Sequence, residues 1–125
     1  MKIVNANELP EDRIVKCPKG GFISHRMLLE SDGMGFTVTK TIILAGEPQR
    51  WHYKNHLESC YCVSGEGVLL NCETLDEHKI TPGILYALDK HDEHIFQAIT
   101  DCELICVFNP PLKGKEIHNK EGAYE

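Results

Sequence analysis

"ILYALDKHDEHIFQAITDCELICVF", residues 84–108, carries three short apolar runs with turn signals between them. The runs 84–89, 94–99 and 102–108 are rich in Ile, Leu, Tyr and Phe, which suit a pleated surface. Successive side chains of a strand point to opposite faces. Ile84, Tyr86 and Leu88 therefore share one face, as do His94, Phe96 and Ala98, and Cys102, Leu104, Cys106 and Phe108. These sets mix bulky apolar groups with Tyr, His and Cys, as the lining of a barrel containing a site would. Alternation alone leaves open which face is inside.

The pattern continues outward. "FTVTKTIIL" (36–44) is dense in Thr, Val and Ile; "SCYCVS" (59–64) and "GVLLNC" (67–72) flank "GEG", which reads as a hairpin turn. Gly and Pro punctuate the chain at "SDGMG", Pro82-Gly83 and "NPPLKG". Pro110-Pro111 ends the last strand, which leaves 109–125 as a polar C-terminal tail. No segment sustains a 3.6-residue period. Many short strands at this spacing predict an all-β sandwich or barrel with little helix. The mouth of a small barrel holds one small ligand.

The 125 residues argue for one domain, long enough to bury roughly two-thirds of the unfolded surface. Charged residues at 26% and hydrophobic ones at 42% predict a globular chain. A formal net charge of −6, without a Lys/Arg cluster, argues against nucleic acid and anionic membranes as partners. "MKIVNANELPEDR" lacks a signal peptide's apolar run, and no stretch approaches the ~20 apolar residues of a membrane span. A cytoplasmic location is expected. The six cysteines then read as reduced, buried thiols. "CYC" has no second pair at zinc-finger spacing, so a structural zinc site is not expected.

Chemistry concentrates in "GEPQRWHYKNHLESCYCVSGEG" (46–67), where His52, Tyr53, Asn55, His56 and Glu58 crowd beside an apolar strand. The spacing of Gly46, His52, Lys54, Glu58 and Gly65 resembles the first motif of the cupin superfamily, with Lys54 where His is usual. Gly83, Asp89, His91 and His94 resemble the second motif, with Asp89, His91 and Ala98 in place of Pro, Gly and the later Asn. The metal-type His94 is kept. These resemblances imply a small cupin-type β-barrel, jelly-roll-like, with ligands arriving from separate strands.

A finer resemblance covers nearly the whole chain. "MGFTVTKTIILAG", "HYKNHLESCYCVSGEG", "ITPGILYALDKHDEH" and "ICVFNPPLKGKEIHNKEGAY" together resemble the ectoine synthase family. Phe22 stands where the family usually has Trp, and Arg50 where it often has another His. The resemblance implies an Fe²⁺-dependent lyase that closes N-γ-acetyl-L-2,4-diaminobutyrate into the cyclic amidine ectoine, a compatible solute, with loss of water. It implies metal ligation by Glu58, Tyr86 and His94, which with Tyr53 form the catalytic set. Substrate contacts would fall to Phe22, Ser24, Arg26, Thr41, Tyr53, Cys106, Phe108, Glu116 and His118. It also implies a homodimer, and a tail, 109–125, that serves as a lid supplying polar contacts and sealing the site. Zn²⁺ or another divalent ion stays open, as does the ligand set His52, Glu58 and His94.

The chemistry needs such groups. An amide is a poor electrophile, and a Lewis acid on its oxygen contributes several kcal/mol to transition-state stabilisation. Holding amine and amide in a ring-like pose reaches effective molarities of about 10⁵–10⁸ M. Water is the product, so a dry, aromatic-lined site (Phe22, Phe96, Phe108) is required. Without the resemblance, several of these residues read otherwise. Tyr86 would fill core with its hydroxyl satisfied, and Cys60, Cys62 and Cys106 would pack. His56 and His91 would be surface or supporting groups, and Glu116 and His118 would be solvated. Glu58 opens an apolar strand, where a carboxylate needs a partner, which favours a ligand role. Phe22 and Arg50 motivate an alternative, another metal-dependent cupin such as a dioxygenase or a ring hydrolase. A non-catalytic module that binds a small solute is a third reading.

Overall fold

Ten strands form in the computed structural model, which describes residues 1–114 and 116. In chain order they are β1 (Ile14–Lys16), β2 (Phe22–Leu28), β3 (Thr37–Ile43), β4 (Gln49–Trp51), β5 (Leu57–Ser64), β6 (Gly67–Asn71), β7 (Glu77–Ile80), β8 (Leu85–Leu88), β9 (His94–Ala98) and β10 (Cys102–Asn109). Helix among the described residues is confined to 3-10 turns at Ala6–Glu8, Glu11–Arg13 and Glu30–Asp32. None is long and apolar enough to cross a membrane.

The strands build a six-stranded sheet, β1-β2-β3-β10-β5-β8, and a four-stranded sheet, β4-β9-β6-β7. Every pairing is antiparallel. Among the described residues no hydrogen-bonded ladder joins one sheet to the other, so the architecture is a jelly-roll-like sandwich of the cupin kind. One core fills it: Phe22, Ile43, Cys60, Cys62 and Leu104 from the larger sheet, and Trp51, Leu69, Ile80, Phe96 and Ala98 from the smaller. Each fully buried Leu, Ile or Phe here contributes about 1.5–3 kcal/mol. The inward faces of β9 and β10 are the ones that bear His94, Phe96 and Ala98, and Cys102, Leu104, Cys106 and Phe108. On β8 Leu88 is buried and Tyr86 half-buried, whereas Ile84 precedes the strand and is exposed.

The hairpin expected at "GEG" does not form. β5 pairs with β10 and β8, and β6 with β7 and β9, so the chain crosses here from one sheet to the other. The glycines serve close approach instead. Gly65 has φ 91°, and a Cβ on it would lie 2.2 Å from the Asp101 carbonyl oxygen; one on Gly67 would lie 2.6 Å from the Phe96 ring. The Glu66 carbonyl accepts the Ile99 N–H at 2.8 Å, which ties the crossing to the turn between β9 and β10.

Candidate metal centre and substrate cavity

Register on the larger sheet gathers the site. One row across it runs Thr37, Phe108, Glu58, Leu88; the next runs Arg26, Thr39, Cys106, Cys60, Tyr86; a third holds Ser24, Thr41, Leu104, Cys62. Because side chains alternate, these rows lie on the same inward face. The smaller sheet and the segment after it cover them with aromatic rings. Phe22 meets Trp51 edge-on at 6.0 Å, Tyr53 meets Phe108 at 5.5 Å, and His94 lies 6.0 Å from Tyr53 and 6.1 Å from Trp51. The cavity at these rows is lined by Phe22, Ser24, Thr41, Ile43, Trp51, Tyr53, Glu58, Cys60, Tyr86, Leu104, Cys106 and Phe108. Its free volume of about 20 Å³ is room for about one water.

Glu58 is buried, and burial pushes its carboxyl up to about 8, against hydrogen bonds from Cys60 and Cys106 that pull it down. Burial likewise raises the phenol of Tyr86. The ligand atoms of Glu58, Cys60 and Cys106 lie within 4.8 Å of one another, a group able to hold a metal ion. His94, 1% exposed, is held neutral because burial lowers its pKa, outweighing the Asp92 carbonyl. Its Nδ1 lies 2.9 Å from that carbonyl, while its Nε2 is buried with no hydrogen-bond partner among the described residues. An imidazole oriented by a backbone carbonyl at one nitrogen, with the other left over, has the form of a metal ligand.

The expected residues fall into three groups. Phe22, Ser24, Thr41, Tyr53, Glu58, Tyr86, Cys106 and Phe108 share the cavity. His94 borders it through Tyr53 and also lines, with Tyr86, an adjoining open cleft of about 440 Å³. Arg26 and Glu116 stand outside the lining, joined to each other. The Arg26 guanidinium is fully buried; it donates to the Gly114 carbonyl at 2.6 Å and to the Glu116 carbonyl, and it lies 3.6 Å from the Glu116 carboxylate. His118 lies outside the described residues. His52 is half-buried in the connection between β4 and β5. His91 has Nδ1 2.9 Å from the Tyr53 carbonyl and 3.1 Å from that of His56, so it braces that connection. His56 itself is buried against Phe108. Arg50 is exposed and forks onto Glu93 at 2.7 and 2.9 Å, away from the cavity. Trp51, which the sequence did not single out, and Cys60, read there as a packing thiol, both line the cavity. Cys60 sits two residues from Glu58 on one strand face, so alternation carries the signal for it.

A cupin-class sandwich with a buried carboxylate–thiol group, and a buried imidazole nitrogen left over among the described residues, has donors able to hold a metal ion beside a cavity for a small molecule. A family model described as ectoine synthase matches residues 1–125. An L-ectoine synthase of Marinomonas sp. is 52% identical, with 94% of this chain and 91% of that protein covered. One of Teredinibacter turnerae is 51% identical, with 91% and 86% covered. The crystal structure of ectoine synthase from P. lautus superposes with a TM-score of 0.88 at 39% identity, over 98% of this chain and 87% of that one. The chain belongs to the ectoine synthase family.

Proposed function

We propose that this protein is an ectoine synthase, which condenses N-γ-acetyl-L-2,4-diaminobutyrate intramolecularly to ectoine and water. The observation that carries the reading, beyond family membership, is the buried carboxyl of Glu58 facing an aromatic cavity with no cation to compensate it among the salt bridges of the described residues. Glu58, Tyr86 and His94 are the residues we assign to the metal. Their oxygen and imidazole donors suit Fe²⁺. Bound there, the ion supplies Lewis-acid polarisation of the amide oxygen.

The rest falls to the chain's own residues. Ser24 and Thr41 offer hydroxyls on adjacent strands, in register with each other, to hold the polar ends of a folded substrate. Phe22, Trp51, Tyr53 and Phe108 exclude water, which disfavours the reverse hydrolysis. The segment held by Arg26 is fastened to the sheet that carries the site, and we read it as the lid that seals the site during turnover. We read the assembly as a homodimer, since β1 is a short edge strand of the larger sheet and open to pairing. The free thiols of all six cysteines support a reducing, cytoplasmic setting.

The test is direct. Protein loaded anaerobically with Fe²⁺ is incubated with the acetylated diamino acid, and ectoine is sought by chromatography. Product formation that disappears in Glu58→Ala supports the reading; no product from freshly loaded protein refutes it.

A further inference from the structure

The turn between β8 and β9 holds a histidine, His91, in the left-handed region at φ 53°. Outside glycine that conformation is uncommon, and Asn, Asp and His are the residues that adopt it most readily. The residue is exposed, yet its Nδ1 reaches across to the connection between β4 and β5. There it lies 2.9 Å from the Tyr53 carbonyl oxygen and 3.1 Å from that of His56. Both partners can only accept, so Nδ1 carries the hydrogen and donates to the two at once. The two carbonyls stand at either end of segment 53–56, and one donor therefore gathers the whole segment. Its two rings flank Phe108: Tyr53 meets that ring edge-on at 5.5 Å and His56 at 6.2 Å. Tyr53 and Phe108 line the cavity, and His91 does not.

We propose that His91 is a positioning residue for Tyr53: its Nδ1–H draws the Tyr53 and His56 carbonyls together and so sets the Tyr53 ring against Phe108 at the cavity wall. The effect on turnover rests on the reading of Tyr53 as part of an active site; the brace itself does not depend on the reaction. His91 touches neither the cavity nor what fills it, so it acts on catalysis through Tyr53. A group misplaced by about 1 Å costs about 10²-fold in rate, which sets the scale of the effect. Without the donor, segment 53–56 loses the bond that ties both its ends to the β8–β9 turn.

The experiment compares the full-length wild type with His91→Asn, His91→Asp and His91→Gly. All three replacements accept a positive φ. The Asn amide nitrogen takes the place of Nδ1 and can donate; Asp has the same shape but offers only acceptors when ionised, and Gly offers nothing. In the iron-loaded proteins His91→Asp and His91→Gly should lower kcat/KM by up to about 10²-fold, mostly through kcat, while His91→Asn stays within a few-fold of wild type. Hydrogen exchange of a peptide spanning 52–57, read by mass spectrometry without substrate, should be several-fold faster in His91→Asp and His91→Gly and unchanged in His91→Asn. Thermal melts confirm that the variants fold. Wild-type kcat/KM in His91→Asp and His91→Gly overturns the proposal, as does a His91→Asn protein as slow as His91→Asp. If the wild type makes no ectoine, the synthase reading falls and exchange alone decides the brace: faster exchange in His91→Asp and His91→Gly upholds it, and equal rates in all four proteins overturn it.

Discussion

Glu58 is a carboxyl group with apolar surroundings and two thiols for company. In the metal-free protein it keeps its proton up to about pH 8, whereas in the unfolded chain it releases it near 4.5. Between those values the folded state binds more protons than the unfolded one, so stability falls as pH rises. The contribution is complete below the unfolded value and gone once pH passes the folded one; its size is at most about 5 kcal/mol. Glu58→Gln has no proton to lose. Chelator-treated wild type should therefore drop in Tm across this window relative to Glu58→Gln, and the two should converge in acid. A Tm difference that stays constant with pH contradicts the burial argument. Metal reverses the sign. Ligation requires the ionised carboxylate, so metal uptake near neutrality should release a proton from Glu58, seen by calorimetry in buffers of different ionisation enthalpy. His94 is already neutral and adds none.

Strands deliver these side chains only if they keep register, because a slip of one residue turns Glu58, Cys60 and Cys62 outward together. β5 has its register fixed at its C-terminal end by the Gly65–Gly67 crossing. Gly65→Ala puts a Cβ onto the Asp101 carbonyl at a positive φ, and should cost about 1–3 kcal/mol or more. The check is the denaturant midpoint, with an unchanged midpoint as the contrary result. The crossing also shows what alternation could and could not reveal. β9 and β10 were legible because each is a short, mostly apolar run bounded by turn residues, with Phe96, Leu104 and Phe108 on the alternating inward positions. The crossing was not, since "GEG" has the same composition as a tight turn and only the distant Asp101 and Phe96 explain its glycines. β2 stayed hidden because its inward positions include Ser24 and Arg26, which look like a solvent face. β7 is almost wholly polar and β4 is three residues long, so neither has a period to read. The site showed the same division. Glu58 and His94 stood out by residue type beside an apolar run, but the convergence of Cys60 with Cys106 depends on pairing between strands more than forty positions apart.

At the scale of the molecule, the question is what closes the sandwich over its cavity. Arg26 is a buried guanidinium whose donors reach the carbonyls of Gly114 and Glu116, while the Glu116 carboxylate accepts the N–H groups of Lys113 and Gly114. Leu112 is buried just before, with its N–H donated to the Thr37 hydroxyl at 2.7 Å. The end of the described chain is thus fastened to β2 and β3, on the sheet that carries the site. Burial works against the charge on Glu116, but those N–H groups and Arg26 prevail and hold its pKa below the usual value. Its contribution is therefore present above the ordinary carboxylate range and is lost as pH falls through the depressed value. Arg26→Met keeps much of the volume but removes one partner of a buried pair, and loss of one partner of such a pair costs about 3–5 kcal/mol. Tm should fall in Arg26→Met and fall less in Arg26→Met with Glu116→Gln, which removes both charges, while the fastening goes in both. Trypsin should then cleave after Lys113 faster than in wild type, and activity should fall more through KM than through folding. If Arg26→Met is cleaved at the wild-type rate, the buried arginine is not what holds the segment down. In that case Thr37 and the apolar seat of Leu112 carry the closure, and Thr37→Val should release it instead.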